Sequence, residues 1–202
     1  METIVLATRN QGKIREFAAL LQDFGLAVKG LDEFPEVGDI PEDGETFEDN
    51  ALFKARETAR LTGLPSVADD SGLMVDALDG APGVYSARYA GEPSDPAANN
   101  AKLLAELAGV PEHERGARFV CVMAAAAPGG PDIHVRGEWE GRIAEALMGE
   151  SGFGYDPLFF DPELGMTAAM MDAAVKNARS HRGRAVAALI ERWPEFVKRI
   201  ES

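Results

Sequence analysis

The chain opens with a strand, a turn and a helix in immediate succession, and this order constrains the fold more than any other feature. The run Thr3-Ile4-Val5-Leu6-Ala7 is typical of a buried strand, and Asn10-Gln11-Gly12 supplies turn residues. Apolar side chains then recur at helical spacing, at Ile14, Phe17, Ala18, Leu20 and Leu21, until Gly25 ends the pattern. The first part of the chain is therefore predicted to be a strand, a turn and a helix.

Strands and helices remain mixed along the rest of the chain. After an acidic loop at 31–44, Thr46-Phe47-Glu48-Asp49 resembles a capping box and predicts a helix that ends near Gly63. A strand at 65–68 is predicted to enter a turn at Asp69-Asp70-Ser71-Gly72, with extended chain resuming at 73–75. The remaining predictions are a helix at 96–107 capped by Asp95 and a helix at 183–192 broken by Pro194. Between them, two or three strands are predicted, at 118–126, 133–140 and 142–146.

This mixture of elements indicates an α/β or α+β fold, with a mixed sheet because the middle strands look hairpin-connected. No linker or repeat divides the sequence, so we expect a single domain over residues 1–202. With 46% apolar residues, the chain can bury one sizeable core.

Composition excludes several classes of partner. The formal net charge of −14 leaves no basic face for a nucleic-acid polymer, so any phosphate ligand should be small. The longest apolar run, 119–127, is about half of a membrane span, and the N-terminus does not resemble an export signal. The single cysteine, Cys121, suits a reducing cytoplasm and is interpreted as a small buried strand residue.

A candidate phosphate-binding loop, Thr8-Arg9-Asn10-Gln11-Gly12-Lys13, lies between the first strand and the first helix. Free backbone N–H groups and the helix dipole attract anions at such a position, and Lys13 adds a positive charge. The spacing is not that of a P-loop. The alternative is a tight turn with a solvated lysine.

The second candidate is the pair Asp69-Asp70. Adjacent strand residues point to opposite faces, so the two carboxylates should have different roles. One could hold a divalent cation or activate water while the other anchors the turn. The alternative is a solvated turn. However, the apolar residues on both sides indicate a buried segment, where two charged residues without a function are unfavourable.

Two further motifs lie near the C-terminus. In Gly152-Phe153-Gly154-Tyr155-Asp156-Pro157, the glycines would let a ring approach a planar ligand, and core packing of both aromatic rings is the alternative. Lys176 and Ser180-His181-Arg182 gather hydrogen-bond donors suited to a carbonyl or a phosphate. The alternative for the second motif is a helix N-terminus capped by Ser180.

Together these motifs resemble the inosine triphosphate pyrophosphatase family, also called XTP/dITP diphosphatases, which hydrolyse non-standard purine nucleoside triphosphates. The resemblance covers essentially the whole chain, with motifs in the same order: Leu6-Ala7-Thr8, Ala68-Asp69-Asp70-Ser71-Gly72, Gly80-Ala81-Pro82-Gly83-Val84-Tyr85-Ser86-Ala87-Arg88-Tyr89, Gly152-Phe153-Gly154-Tyr155-Asp156-Pro157 and Ser180-His181-Arg182.

The resemblance implies a role for each matching residue. Binding of the substrate phosphates is implied for Thr8, Asn10, Lys13 and Lys54, and the other residues of the same loop, Arg9, Gln11 and Gly12, are expected to bind substrate. Asp70 is the implied general base, Ser71 a substrate contact, and magnesium binding is implied for Glu42, Asp69 and Asp70. Binding at the base end is implied for Phe153, Gly154, Tyr155, Asp156, Lys176, His181 and Arg182.

The sequence departs from the family pattern at two places. Arg9 stands where a small residue is commonest, and it could point outward or add a phosphate contact. Glu150-Ser151 replaces a usual glycine pair before Gly152, which puts the flexibility of that loop in question. Neither departure removes a reactive group.

The resemblance also implies an elongated, two-lobed α/β domain around a twisted mixed sheet with flanking helices, with the nucleotide in a cleft between the lobes. The implied protein is a cytoplasmic, Mg²⁺-dependent homodimer that acts at no membrane. Its implied reaction converts ITP, dITP or XTP and water to the monophosphate and pyrophosphate, which cleanses the nucleotide pool before DNA and RNA synthesis.

Two other functions stay open on the residues alone. A related phosphohydrolase could cleave modified pyrimidine triphosphates or release single phosphates. A nucleotide sensor could bind without turnover, although pure binding does not need a water-activating carboxylate beside a phosphate-binding loop.

Overall fold

A computed structural model of the chain describes residues 3–11, 14, 18 and 25–201. Within these residues, seven strands form one sheet in the order β2-β1-β3-β4-β5-β6-β7. The strands are β1 Thr3–Leu6, β2 Ala27–Gly30, β3 Ser66–Val75, β4 Gly116–Ala126, β5 Asp132–Ile143, β6 Phe159–Asp161 and β7 Met166–Thr167. Strand β1 pairs in parallel with β2 and β3, whereas β6 pairs antiparallel with β5 and β7. The predicted α/β class with a mixed sheet is confirmed.

The helices that the structure describes in full are α1 Phe47–Thr62, α2 Pro96–Glu106, α3 Ala173–Arg179 and α4 His181–Ile200. The predicted caps of α1 and α2 are confirmed: the Thr46 side chain accepts a hydrogen bond from the Asp49 N–H, and Asp95 accepts from the second and third residues of α2. Gly63 ends α1 in the left-handed conformation, with φ of 69°.

The predicted first helix falls largely on residues that the structure leaves out. Gln11, Ile14 and Ala18 have helical backbone. The other apolar positions of the pattern, Phe17, Leu20 and Leu21, lie outside the described residues. Strand β2, which follows this segment, is not predicted by the sequence pattern.

The prediction of a turn at Asp69-Asp70-Ser71-Gly72 is wrong, because β3 continues through these residues without interruption. The apolar residues on both sides favour extended chain, and β3 pairs with neighbours on both of its edges. The turn propensity of Asp, Ser and Gly is a weaker, local preference than pairing at the centre of a sheet.

Of the two or three strands predicted for 118–146, the structure has two, because β5 runs through Gly141 to Ile143 and leaves no separate strand at 142–146. Gly141 marks a close approach between strands and not a turn. A Cβ added there would come within 2.6 Å of the Phe159 ring and of the Phe160 carbonyl oxygen.

The helix predicted to break at Pro194 instead continues to Ile200. A proline in a helix interior costs about 3 kcal/mol. Trp193 and Phe196 on either side are buried, with ring centroids 5.4 Å apart. Burying such side chains contributes about 1.5–3 kcal/mol each, which offsets the proline.

The chain packs as two compact units, each assembled from separate stretches of sequence. The first comprises residues 1–70, 122–136 and 185–202, and the second comprises 71–121 and 137–184. The first contains a cluster of buried apolar residues formed by Val5, Leu31 and Val37. The second contains a larger cluster that includes Trp139, Phe159 and Leu103. The single domain predicted for 1–202 stays a prediction.

Cys121 is fully buried in β4, as predicted. None of the helices in the described part of the chain has the length and apolar character to cross a bilayer.

Candidate active site

The paired carboxylates Asp69 and Asp70 lie inside β3, and each residue is only 8% exposed. Because side chains alternate along a strand, the two carboxylates point to opposite faces of the sheet. Two acidic residues at this depth need polar partners. Within the first unit, α1 supplies one to the Asp70 carboxylate, and a lysine of the same helix donates to the Asp69 backbone.

The Asp70 carboxylate is held by a residue that the sequence analysis did not select. The Nδ2 atom of Asn50 donates a hydrogen bond to Asp70 Oδ2 at 2.9 Å, and the Asn50 Oδ1 atom accepts one from the Gly44 N–H at 2.7 Å. Asn50 is 2% exposed. The available signal was an asparagine in the interior of a predicted helix, where its helix propensity is poor.

Lys54 joins two of the predicted metal-binding residues. Its ammonium group donates to Glu42 Oε1 at 2.5 Å and to the Asp69 carbonyl oxygen at 2.7 Å. The Lys54 side chain is 13% exposed and the Glu42 side chain 40% exposed, so the lysine is shielded from water while the glutamate reaches it. The structure therefore brings Lys54 to the Glu42 carboxylate and to the backbone of Asp69.

The described part of the predicted phosphate loop bonds to the acidic segment 31–44. Arg9 bonds to the Val37 carbonyl oxygen and to Asp39 Oδ1, and Gln11 donates to Asp32 Oδ2 at 2.9 Å. Thr8 Oγ1 accepts from the Asn10 N–H at 3.2 Å, which tightens the loop. Arg9 therefore ties this loop to the acidic segment. The predicted phosphate contacts Gly12 and Lys13 lie outside the described residues.

The carboxylates of the first unit could bind magnesium only if a bound substrate supplied further oxygen ligands. Among the described residues, no group of three or more His, Cys, Asp or Glu side chains is placed to hold a metal ion. Mg²⁺ usually takes one or two carboxylates, several waters and the oxygens of substrate phosphates. Because Asp69 and Asp70 point to opposite faces of the strand, Glu42 with one of them supplies two oxygen donors, which fits a magnesium ion that is shared with a phosphate.

In the second unit, Asp156 organises the loop that displays Phe153. Its Oδ2 atom accepts from the Phe153 N–H at 2.7 Å and from Lys176 Nζ at 2.5 Å. Gly152 has φ of 82°, and a Cβ there would come within 2.2 Å of the same oxygen. This arrangement leaves the Phe153 ring 68% exposed. A planar ligand could stack on such a ring.

Two cations flank the exposed ring. The Lys176 Nζ atom lies 5.1 Å from the centroid of the Phe153 ring, and the Arg182 Cζ atom lies 5.9 Å from it. His181 begins α4, and its ring stacks on Phe119 with centroids 4.8 Å apart. Ser180 accepts from the Gly183 N–H at 3.1 Å, so it also caps this helix.

Tyr155 belongs to the core and not to the exposed surface. The residue is 5% exposed, and its hydroxyl donates to the Ser86 carbonyl oxygen at 2.8 Å. Burial, with the charges of Tyr89 and Glu106, raises the pKa of Tyr155, so it stays a neutral donor at pH 7. The alternative sequence interpretation, core packing, is therefore confirmed for Tyr155 and is wrong for the exposed Phe153.

The remaining predicted contacts of the second unit are Gly154 and Ser71. Gly154 is left-handed, with φ of 60°, and its carbonyl oxygen accepts from Asn100 Nδ2 at 2.9 Å. Ser71 follows Asp70 on β3 and is partly exposed. The predicted residues thus form one group around Asp70 in the first unit and another around Phe153 in the second.

Known proteins resemble this chain over nearly its whole length. The Ham1 family matches residues 4–192 of the chain. A "dITP/XTP pyrophosphatase" of Nitratidesulfovibrio vulgaris is 58% identical, over 96% of this chain and 97% of its own length. A protein of the same name from Geobacter sulfurreducens is 54% identical, over 94% and 95% of the two chains.

A solved structure of a HAM1 protein from Coxiella burnetii shares the fold. It is 44% identical to this chain, with a TM-score of 0.91, and the match covers 96% of this chain and all of that one. The relatives' name agrees with the family resemblance that the sequence motifs indicated.

Proposed function

Because this chain belongs to the Ham1 family, we propose that it hydrolyses the triphosphates of deaminated purines, namely dITP, XTP and ITP, to the monophosphate and pyrophosphate. The observation that carries the proposal is the buried Asp70 carboxylate, which accepts a hydrogen bond from Asn50. On the same strand, the carbonyl oxygen of Asp69 accepts a hydrogen bond from the Lys54 ammonium group. A water-activating base and a phosphate-binding cation are the two groups that this reaction needs.

We assign the chemical step to Asp70. Its carboxylate would orient a water molecule toward the α-phosphorus and accept the proton as the new P–O bond forms. The bond from that phosphorus to the bridging oxygen breaks, and pyrophosphate leaves. Lys54 and Lys13 would bear the negative charge of the triphosphate. Magnesium bound through Glu42 and one of the two carboxylates, Asp69 or Asp70, would neutralise charge on the phosphate oxygens.

Selectivity for the base is assigned to the second unit. Phe153 would stack on the purine ring, and Arg182 and His181 would donate hydrogen bonds to its 6-oxo group. Adenine presents an amino donor at that position, so donors in the protein disfavour it. Guanine shares the 6-oxo group and must be refused by another contact.

The proposal includes a biological setting. Hydrolysis of these nucleotides would keep deaminated purines out of DNA and RNA. We place the protein in the cytoplasm, which the single buried cysteine supports because a reducing compartment keeps thiols free.

The decisive experiment compares the wild type with Asp70→Asn. The amide is nearly isosteric but cannot accept a proton, so we expect kcat to fall by about 10² or more. Circular dichroism and nucleotide binding should stay close to those of the wild type. Activity of Asp70→Asn within a few-fold of wild type would remove Asp70 from the chemical step.

A panel of nucleotides, with and without magnesium, identifies the reaction. We expect pyrophosphate and a purine monophosphate as the products, and loss of turnover when magnesium is removed. Release of single phosphates or preference for a pyrimidine would indicate a related phosphohydrolase. Binding without turnover would indicate a nucleotide sensor.

A further inference from the structure

Asn50 is a buried polar residue that connects two parts of the proposed phosphate end. It is the fourth residue of α1, and it reaches Asp70 on β3 with one amide atom and Gly44 with the other. Gly44 lies in the same loop as Glu42. One side chain therefore fixes both the carboxylate and the segment that carries a predicted metal ligand.

The orientation of the Asn50 amide follows from its partners. A backbone N–H can only donate, so the atom that faces Gly44 must be the carbonyl oxygen of the amide. The NH₂ group then faces Asp70 and donates to its carboxylate oxygen Oδ2. A flipped amide would place its NH₂ group against the Gly44 N–H and its oxygen against the carboxylate, and both contacts would be lost.

Close packing at Gly44 keeps this arrangement tight. A Cβ at Gly44 would lie 2.7 Å from Asn50 Oδ1 and 2.9 Å from the Asp49 Cβ. These distances leave no room for a side chain, so the loop approaches α1 closely enough to bond with Asn50.

We propose that Asn50 is a positioning residue for Asp70. It holds the carboxylate in the orientation that the attacking water requires, and it keeps the loop of Glu42 at a fixed distance from α1. This role rests on the proposed function of Asp70. It acts through Asp70 and needs no contact between Asn50 and the substrate.

Asn99 offers a matched control in the second unit. It is 4% exposed, its Oδ1 accepts from the Ala90 N–H at 2.7 Å, and its Nδ2 donates to the Ala87 carbonyl oxygen at 3.0 Å. Like Asn50, it is a buried helical asparagine that uses both amide atoms. Its partners are backbone groups, whereas Asn50 reaches a catalytic carboxylate.

The first test compares Asn50→Ala with Asn99→Ala. Both should lower the melting temperature to a similar extent, because each leaves buried polar groups without their partner. We expect kcat to fall by about 10- to 100-fold in Asn50→Ala with KM within a few-fold of wild type, since small misplacements of a reacting group have effects of this size. Asn99→Ala should keep kcat within about twofold. Equal kcat values in the two variants would overturn the proposal.

The second test asks whether Asn50 acts through Asp70. In an Asp70→Asn background, measured at high enzyme concentration, Asn50→Ala should have almost no further effect on kcat. A loss as large as in the wild-type background would overturn the positioning role. Asp70→Asn as active as wild type would refute the proposed function itself, whereas an inactive Asp70→Asn beside a fully active Asn50→Ala would refute only the role of Asn50.

A third measurement does not depend on activity. Hydrogen exchange of the Gly44 backbone amide should become faster in Asn50→Ala, because the acceptor is removed. Asn99→Ala should leave this amide unchanged. An unchanged exchange rate in Asn50→Ala would show that the bridge to the Glu42 loop does not exist.

Discussion

At the scale of single residues, Phe153 and Arg182 would contact the base in different ways, and substitution can separate them. Stacking on an aromatic ring is worth about 1–3 kcal/mol and does not distinguish purines. We therefore expect Phe153→Ala to raise KM for all purine triphosphates alike, which steady-state kinetics across a purine panel would measure. A rise confined to one purine would contradict a stacking role.

Arg182→Ala should act differently, because a donor to the 6-oxo group distinguishes hypoxanthine from adenine. We expect kcat/KM to fall more for ITP than for ATP, so that the ratio of the two kcat/KM values decreases. Steady-state kinetics with both nucleotides measures this. Equal losses for ITP and ATP would make Arg182 a general electrostatic contributor.

Asp161 is a buried carboxylate on which stability should depend. It accepts hydrogen bonds from Trp139 Nε1, Arg179 Nε and the N–H groups of Glu163 and Leu164. Burial alone would raise its pKa, but these hydrogen bonds outweigh burial and hold the pKa of Asp161 below its ordinary value.

A carboxyl group with a lowered pKa stabilises the fold above its unfolded pKa, and this contribution disappears as the pH falls through the folded pKa. We expect Asp161→Asn to lose about 2 kcal/mol at pH 7, as for hydrogen bonds to a charged group. The difference from wild type should shrink below about pH 4. Denaturant unfolding at a series of pH values checks this, and a difference that is constant with pH would contradict it.

Some site residues could be selected from the sequence because their residue type is unusual in its local context. Asp70 and Phe153 could be selected because a carboxylate between apolar runs and an aromatic ring between glycines are unusual locally. For Asn50 the one signal was its poor helix propensity, which does not indicate its role, since that depends on Asp70, 20 residues later in the chain, and on the close approach of Gly44. No local pattern encodes either contact.

At the scale of elements, the N-terminus of α1 depends on Thr46. Its hydroxyl accepts from the Asp49 N–H at 3.1 Å and donates to Asp49 Oδ2 at 2.7 Å. Loss of such a cap costs about 1 kcal/mol. We expect Thr46→Ala to lower the melting temperature by about 2–4 °C and Thr46→Ser to keep it near the wild-type value. Equal melting temperatures for the two variants would show that the cap contributes nothing.

The ends of helices were predictable where a nearby residue caps them, either by accepting hydrogen bonds from free backbone N–H groups, as Thr46 and Asp95 do, or by adopting the left-handed conformation, as Gly63 does. They were not predictable where distant packing decides. The burial of Trp193 and Phe196 offsets the cost of Pro194, so α4 continues past the proline. At Gly141, the close approach of Phe159 requires a residue without a side chain, so the glycine does not indicate a turn. Both outcomes depend on residues brought together only by the fold.

At the scale of the whole molecule, we expect a homodimer. The segment 81–86 combines stiff and permissive backbone with Tyr85, which is 58% exposed, and aromatic residues of this kind are enriched at interfaces. Light scattering at micromolar concentration should give twice the chain mass of 21.6 kDa. A mass of one chain at that concentration would contradict this expectation.

Cys121 gives the molecule an internal reporter of its own opening. The thiol is the single one in the sequence, and it is fully buried in β4. A thiol reagent can therefore react only when the strand becomes accessible to solvent. The rate at which a chromogenic disulfide labels the native protein measures how often this strand opens, without any introduced probe. If a bound nucleotide stabilises the closed protein, the same labelling in the presence of nucleotide should be slower, and the decrease in rate reports binding.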